Sequence, residues 1–239
     1  MPPDAGLARR RVEPEELDHL SPADPRAQRS RLDLRRINAL MGHGRLLARL
    51  LARHVEASPP RTILELGAGD GHLMLAVARR LAHRWPGVTV RLLDRQDLVP
   101  PEMVAAFARL GWRCEPVVGD IFAIGPDARA DVVTANLVLH HFTEDQLRRL
   151  FGRLSALAPL VIACETRRTW LPLLASRCLG AIGANSVTRA DGVLSVRAGF
   201  RDGELSRLWP DPDSWHLEEG AAAPFSHVFA ARRRAGQGP

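Results

Sequence analysis

The stretch ILELGAGDGHLML, residues 63–75, restricts the fold of this chain more than any other. A short apolar run, TILEL (62–66), stops at Gly67, Gly69 and Gly71, and an apolar pattern then resumes with a helical period. An apolar run of that length reads as a buried strand, and Leu73, Ala76, Val77 and Leu81 share one face of a helix. Strand, glycine turn and helix in direct succession form the opening unit of a parallel sheet. Glycine there admits dihedrals closed to other residues and lets a ligand approach the backbone. The spacing is GxGxG, whereas a dinucleotide fingerprint is GxGxxG. His72 stands where the third glycine would let helix pack closely on strand, which argues against a dinucleotide enzyme.

The alternation continues along the chain. Strand-like runs fall at VTVRLLD (88–94), CEPVV (114–118), DVVTAN (131–136) and LVIACE (160–165), with helical patterns between them. TEDQLRRLFGRLSAL begins with the capping-box pair Thr143 and Gln146, and Leu147, Leu150, Phe151, Leu154 and Leu157 share its apolar face. Near-continuous apolar strands alternating with helices predict an α/β fold with a mostly parallel sheet covered on both sides. The end of the chain differs. A helix near 203–208 precedes WHLEEG and FSHVFAARR, two strand-like runs separated by AAAP that would close the sheet as an antiparallel hairpin.

The ends are read more coarsely. Residues 1–29, rich in Pro, Arg and acids, are expected to form a loose arm. Ser30 would cap a helix whose face carries Leu34, Ile37 and Met41, and RLLARLLARHVEA makes a second helix after GHG at 42–44. The expected organisation is therefore an N-terminal arm and helices over 1–60, covering the pocket, and an α/β domain over 61–235. The triplet Arg232–Arg234 and the following AGQGP read as a solvated, frayed end.

Composition narrows the function classes. The 33 basic residues are all arginine, giving a net charge of +6, but most are interleaved with carboxylates, so no strong nucleic-acid signal emerges. No apolar run is long enough to span a membrane and the N-terminus lacks a signal-peptide core, so a cytoplasmic location is the default expectation. Cys114, Cys164 and Cys178 form no CxxC pair, so neither a metal centre nor a disulfide framework is expected, and all three read as buried small residues. Oligomeric state is not encoded in any pattern.

Carboxylates lie at the strand ends where an open parallel sheet binds ligands. Asp94 closes the second strand, in reach of ribose hydroxyls, with Asp97 as a competitor. Asp120 in VVGDIF is placed to receive an exocyclic amine or to make an Asx-type turn.

Taken together, ELGAGDG, the acid ending strand two, GDIF after strand three and NLVLHHF after strand four resemble the class I methyltransferases that use S-adenosylmethionine. The resemblance implies a Rossmann-like, doubly wound, seven-stranded sheet closed by a C-terminal hairpin, with an N-terminal helical extension. It implies that Glu65 and Gly67 lie near the methionine part, Gly69 and Gly71 beside the cofactor, Asp94 on the ribose, and Asp120 with Ile121 around adenine. One departure is Arg95, where an apolar residue often packs on adenine; its guanidinium would stack instead, or Ile121 would supply the wall.

Asn136 closes strand four beside the expected sulfonium, and His140 or His141 is the candidate general base for a hydroxyl acceptor. Glu165 would line the pocket or pair with Arg167 or Arg168. Residues 169–200 are either a substrate-covering insertion, with Trp170 to Ile182 as a lid and Arg197 at a polar end, or a packed helix with a turn at Asp191–Gly192. Arg35, Arg36 and Asn38 either cover the pocket or form a solvated face. The expected reaction is methyl transfer to a small aromatic, quinone-like or polyketide-like acceptor, with oxygen favoured. RNA or protein methylation, a non-catalytic S-adenosylmethionine-binding protein and an NAD-linked oxidoreductase are the alternatives.

Overall fold

The computed structural model describes residues 6–55 and 58–234. Seven strands form one sheet: β1 (Thr62–Leu66), β2 (Thr89–Asp94), β3 (Arg113–Val118), β4 (Val132–Asn136), β5 (Leu160–Thr166), β6 (Trp215–Ala222) and β7 (Ser226–Arg233). Their order is β3-β2-β1-β4-β5-β7-β6. The first five run parallel; β7 pairs antiparallel with β5, and β6 antiparallel with β7, so the expected hairpin closes the sheet. Burial follows position. β4 and β5, in the middle, are buried at every residue, whereas edge strand β3 exposes most of its residues.

Helices cover both faces. α2 (His43–His54), α3 (His72–Leu81) and α4 (Pro101–Arg109) bury Leu47, Leu51, Met74, Val77 and Phe107 against one face. α5 (Glu144–Leu157) lies on the other, and all five apolar residues assigned to its face are buried there. Its capping box forms as the sequence predicts, with Thr143 and Gln146 satisfying each other's backbone N–H groups. Phe151, Trp209, Trp215 and Phe229 complete this second core as an aromatic group with ring centroids 5.0–5.7 Å apart. Among the described residues, no helix is long and apolar enough to cross a membrane.

The structure differs from the sequence reading outside the sheet. Over residues 6–29 the N-terminal segment is not loose (residues 1–5 lie outside the described residues): Leu7 is buried, and the backbone N–H groups of Glu16 and Leu17 donate to the Asp191 carboxylate at 2.9 and 3.0 Å. Asp24, not Ser30, caps α1 (Pro25–Leu40), because Pro25 fills the first helical position, where no N–H is needed. Ser30 lies inside α1, buried against Thr188. The buried face of α1 is Ala27, Ser30 and Asp33, while Leu34 is exposed, so polar pairing with α7 (Ser186–Ala198) orients this helix in place of the apolar stripe.

Asp191–Gly192 is not a turn; both lie within α7, where Asp191 is fixed by the arm. Residues 170–182 form α6 (Trp170–Arg177) and a short 3-10 turn that leaves Trp170, Leu174 and Ile182 exposed. Arg232 and Arg233 belong to β7, and Arg233 stacks over Trp215 at 4.5 Å, so only residues 235–239 of the supposed frayed end fall outside the described residues. Cys114 and Cys164 are buried as expected, but Cys178 is exposed.

Candidate functional site

In this sheet the chain leaves β1 toward β2 on one side and leaves β4 toward β5 on the other. The carboxyl ends of β1 and β4 therefore flank the switch point, where the connecting loops diverge and leave a crevice. Gly67, Gly69 and Gly71 sit at its β1 side with φ of 64°, 55° and 81°, a region that disfavours side chains. At Gly67 a Cβ would also lie 2.6 Å from Val138 Cγ2. At Gly69 nothing lies within 4 Å of that position, so the turn presents bare backbone to open space.

Asp94 ties this turn to β2. One carboxylate oxygen accepts from the Gly69 N–H at 2.8 Å and the other from the Gln96 N–H at 3.0 Å. Each oxygen retains capacity for a further hydrogen bond. Asp97 is exposed one turn away. Asp120 closes the adjacent strand end; it caps the following turn through the Phe122 N–H at 2.8 Å, and its other oxygen meets Arg95 at 3.3 Å. Arg95 is thus directed to a carboxylate and does not lie free for stacking. Ile121 is only 5% exposed and packs into the α5-side core.

Asp70, between the glycines, is a residue that the sequence reading passed over. Burial opposes its ionisation, but hydrogen bonds from His72 and Arg35 outweigh that and bring its carboxyl down to about 2. The Arg35 contact, 2.5 Å, fastens α1 to the glycine turn. Beneath the turn, Glu65 is buried and accepts from the Thr134 hydroxyl. Burial pushes its carboxyl up to about 8, so it is predominantly protonated at neutral pH.

The ends of β4 and β5 carry a second group of residues. Glu165 is fully buried; one oxygen accepts from the Val138 and Leu139 N–H groups at 2.9 and 2.7 Å, and the other lies 2.8 Å from His140 Nδ1. It neither opens to solvent nor pairs with Arg168, which is bound to Glu204. His140 Nε2 faces Glu15 of the N-terminal arm at 3.4 Å. Burial disfavours an imidazolium here, but hydrogen bonds and charges from Glu15 and Glu165 outweigh it and push His140 up to about 10. Both glutamates are buried too, which alone would raise them; His140 holds each below the ordinary carboxylate range. His141, its ring centroid 4.3 Å from that of His140, directs Nδ1 to Asp18 at 3.1 Å.

Beside this group, His43 at the start of α2 is fully buried, with Nε2 3.0 Å from the Ser226 hydroxyl. Its Nδ1 and Oδ1 of Asn136, which ends β4, have no partner besides each other's side chains. Burial depresses the His43 pKa, partly offset by the charge of Glu165 and the Asn136 amide, so the ring is neutral at neutral pH. Arg10 stacks 4.2 Å from the Phe200 ring and donates to the carbonyls of Ala198 and Phe142 at 2.8 and 3.0 Å. Sequence reasoning missed Glu15, Arg10 and His43 because their partners are far away in the chain; the contact between His43 and Ser226 spans 183 residues.

Comparison with known proteins bears on the fold and its core. Residues 63–158 match a family described as a methyltransferase domain. Trans-aconitate 2-methyltransferase of Mycobacterium tuberculosis (strain ATCC 25177 / H37Ra) is 37% identical over 106 residues, 44% of this chain and 37% of that protein. The Mycolicibacterium gilvum (strain PYR-GCK) protein of the same name is 39% identical over 115 residues, 47% of this chain and 41% of its own length. The aligned part thus spans about two fifths of these relatives. Among solved structures, the plantazolicin methyltransferase BpumL in complex with SAH superposes with a TM-score of 0.65 at 12% identity, covering 89% of this chain and 92% of that one. The mitomycin 7-O-methyltransferase MmcR gives 0.57 at 23% identity, covering 90% and 60%.

Proposed function

We propose that this chain, whose core (residues 63–158) belongs to the class I S-adenosylmethionine-dependent methyltransferases, methylates an oxygen of a small acceptor at the ends of β4 and β5. S-adenosylmethionine is the cofactor of that family and supplies an electrophilic methyl group on a sulfonium. The open side of Gly69 and the pre-set Asp94 carboxylate fit such a ligand. Gly67, Gly69 and Gly71 would line it, Glu65 would lie beneath its methionine part, Asp94 would take the ribose, and Asp120 the adenine amine. Ile121, facing the core, would support the adenine side from below.

The observation that carries the oxygen-acceptor reading is the Glu15–His140–Glu165 group. Glu165 fixes the His140 ring through Nδ1 and leaves Nε2 as the atom that meets an acceptor hydroxyl. Glu15 occupies that position in this structure. An acceptor hydroxyl that displaces Glu15 removes one of the two charges that hold the ring protonated, and so shifts His140 toward the neutral base that O-methylation of a phenol or enol needs. His141, paired with Asp18, flanks the same position and is the alternative base.

The named activity of the Mycobacterium tuberculosis and Mycolicibacterium gilvum relatives favours a second reading, in which the acceptor is a carboxylic acid. A carboxylate is already ionised and needs no base, but Glu15 and Glu165 would oppose its charge. Transfer of labelled methyl from S-adenosylmethionine to hydroquinones, phenols and trans-aconitate separates the readings. Phenol or hydroquinone methylation lost in His140→Ala supports the first. Trans-aconitate methylation indifferent to His140→Ala supports the second, and cofactor binding without any transfer favours a non-catalytic binder.

A further inference from the structure

Among the described residues, one group brings three metal-type ligands together: Glu15, His140 and His141 each offer an atom within 4.8 Å of the other two. Glu15 comes from the N-terminal arm and the histidines from the turn after β4, so chain spacing does not announce the set. The contact between His140 Nε2 and Glu15 Oε1 is 3.4 Å. That is long for a hydrogen bond between charged groups, which closes to about 2.7–2.9 Å. It matches the edge of a tetrahedron around zinc, about 3.3–3.6 Å for bonds of about 2.0–2.2 Å.

The surroundings are those of ligating imidazoles. His140 Nδ1 lies 2.8 Å from the Glu165 carboxylate, which orients the ring and leaves Nε2 to face Glu15. A carboxylate on the far nitrogen is the usual partner of a metal-bound histidine. His141 has the same partner chemistry, with Nδ1 3.1 Å from Asp18. The Ser195 hydroxyl donates to Glu15 Oε1 at 2.6 Å and holds the third ligand. Arg10, a cation packed beside the group, directs its guanidinium to the carbonyls of Ala198, His140 and Phe142. Three carboxylates thus surround two imidazoles, an excess of negative charge that a divalent ion offsets.

We infer that Glu15, His140 and His141 bind a divalent transition-metal ion, zinc by the donor set, which ties the arm to the turn after β4. Imidazole nitrogens with one carboxylate suit zinc, whereas magnesium and calcium call for oxygen ligands. The ion replaces the proton between His140 Nε2 and Glu15, and that proton leaves to solvent. On the reading of His140 as base, on which only this consequence rests, the ion occupies the lone pair that an acceptor hydroxyl would use and so stops methyl transfer.

Calorimetric titration of the metal-stripped full chain with zinc chloride tests the site, and cobalt chloride gives it a spectroscopic signature. One equivalent of zinc should bind and raise the unfolding temperature. Cobalt should show the intense visible absorption of a tetrahedral ion, and magnesium chloride should do neither. Asp18→Asn should weaken zinc binding about 10–100-fold, as loss of an orienting partner does, and Glu15→Gln and His141→Ala by more. Asp18 is exposed and His141 partly so, and Glu15→Gln keeps the volume of its side chain, so cooperative unfolding without zinc should persist in all three. No zinc binding, or binding unchanged in Glu15→Gln and His141→Ala, would overturn the proposal. Phenol methylation should stop at full zinc occupancy and return with a chelator; methylation unaffected by bound zinc would overturn the inhibitory consequence. Binding is read without turnover, so a protein that binds zinc at this site but methylates no phenol would count against the oxygen-acceptor reading alone.

Discussion

The two halves of the crevice are built on opposite principles. At the ends of β1, β2 and β3, Asp94 and Asp120 are partly or largely exposed and satisfied by backbone N–H groups of nearby turns. At the ends of β4 and β5, Glu165, His140, Glu15 and His43 are buried and answer one another across the whole chain. The first half needs little beyond local turn geometry to hold its shape. The second needs the N-terminal arm and α7 in place. On the proposed function a nucleoside would dock on the preformed half, whereas the second half is completed by residues of the N-terminal arm.

The contrast can be broken by substitution, and the half at β4 and β5 should show the larger effects. His140→Ala should lower methyl transfer to a phenolic acceptor by about 10²–10⁴-fold while S-adenosylhomocysteine affinity stays within about twofold. Parallel loss of both in rate and calorimetric assays would count against a division between the halves. Glu165→Ala should cost about 3–5 kcal/mol in urea unfolding, since it strips a buried imidazolium of one partner and leaves two N–H groups unpaired. A loss under 1 kcal/mol would show that the group is not coupled to the fold.

Asp94→Ala should weaken S-adenosylhomocysteine binding about 10–100-fold without a comparable loss of stability, because the carboxylate is half-exposed and its backbone donors can turn to water. Unchanged affinity would dislodge the ribose assignment. Smaller still is the effect expected at Arg35→Ala. Its bond to Asp70 lies near the surface, and thermal unfolding should register about 1 kcal/mol or less.

Glu65 gives a pH signature. Its folded pKa, raised to about 8 from 4.5, means that the native state holds a proton there that the unfolded chain releases. Its contribution to stability is complete below pH 4.5 and is lost as pH rises through about 8. Glu65→Gln, which stays neutral, should therefore gain stability relative to the unaltered protein as pH goes from 5 to 9. A difference flat with pH would place an ionised carboxylate at this position.

Legibility in the sequence followed the same divide. The five parallel strands, the glycine turn, the capping box at Thr143 and the terminal hairpin all have local signals, because each depends on residues within one element or one turn. The acids at the strand ends were visible for the same reason. Glu15 could not be matched to His140, nor His43 to Ser226, because no periodicity links residues so far apart. The arm looked loose because its order comes from Asp191, Ala198 and Phe142, which its own composition does not announce. The apolar pattern of α1 points to the wrong face because the buried side of the helix is largely polar.

The central claim is that the crevice between β1 and β4 is a methyl-donor site and not a dinucleotide site. Titration of the purified protein with S-adenosylhomocysteine and, separately, with NAD tests it directly. Saturable one-to-one binding of S-adenosylhomocysteine with none of NAD is the predicted result; binding of NAD without S-adenosylhomocysteine would contradict it.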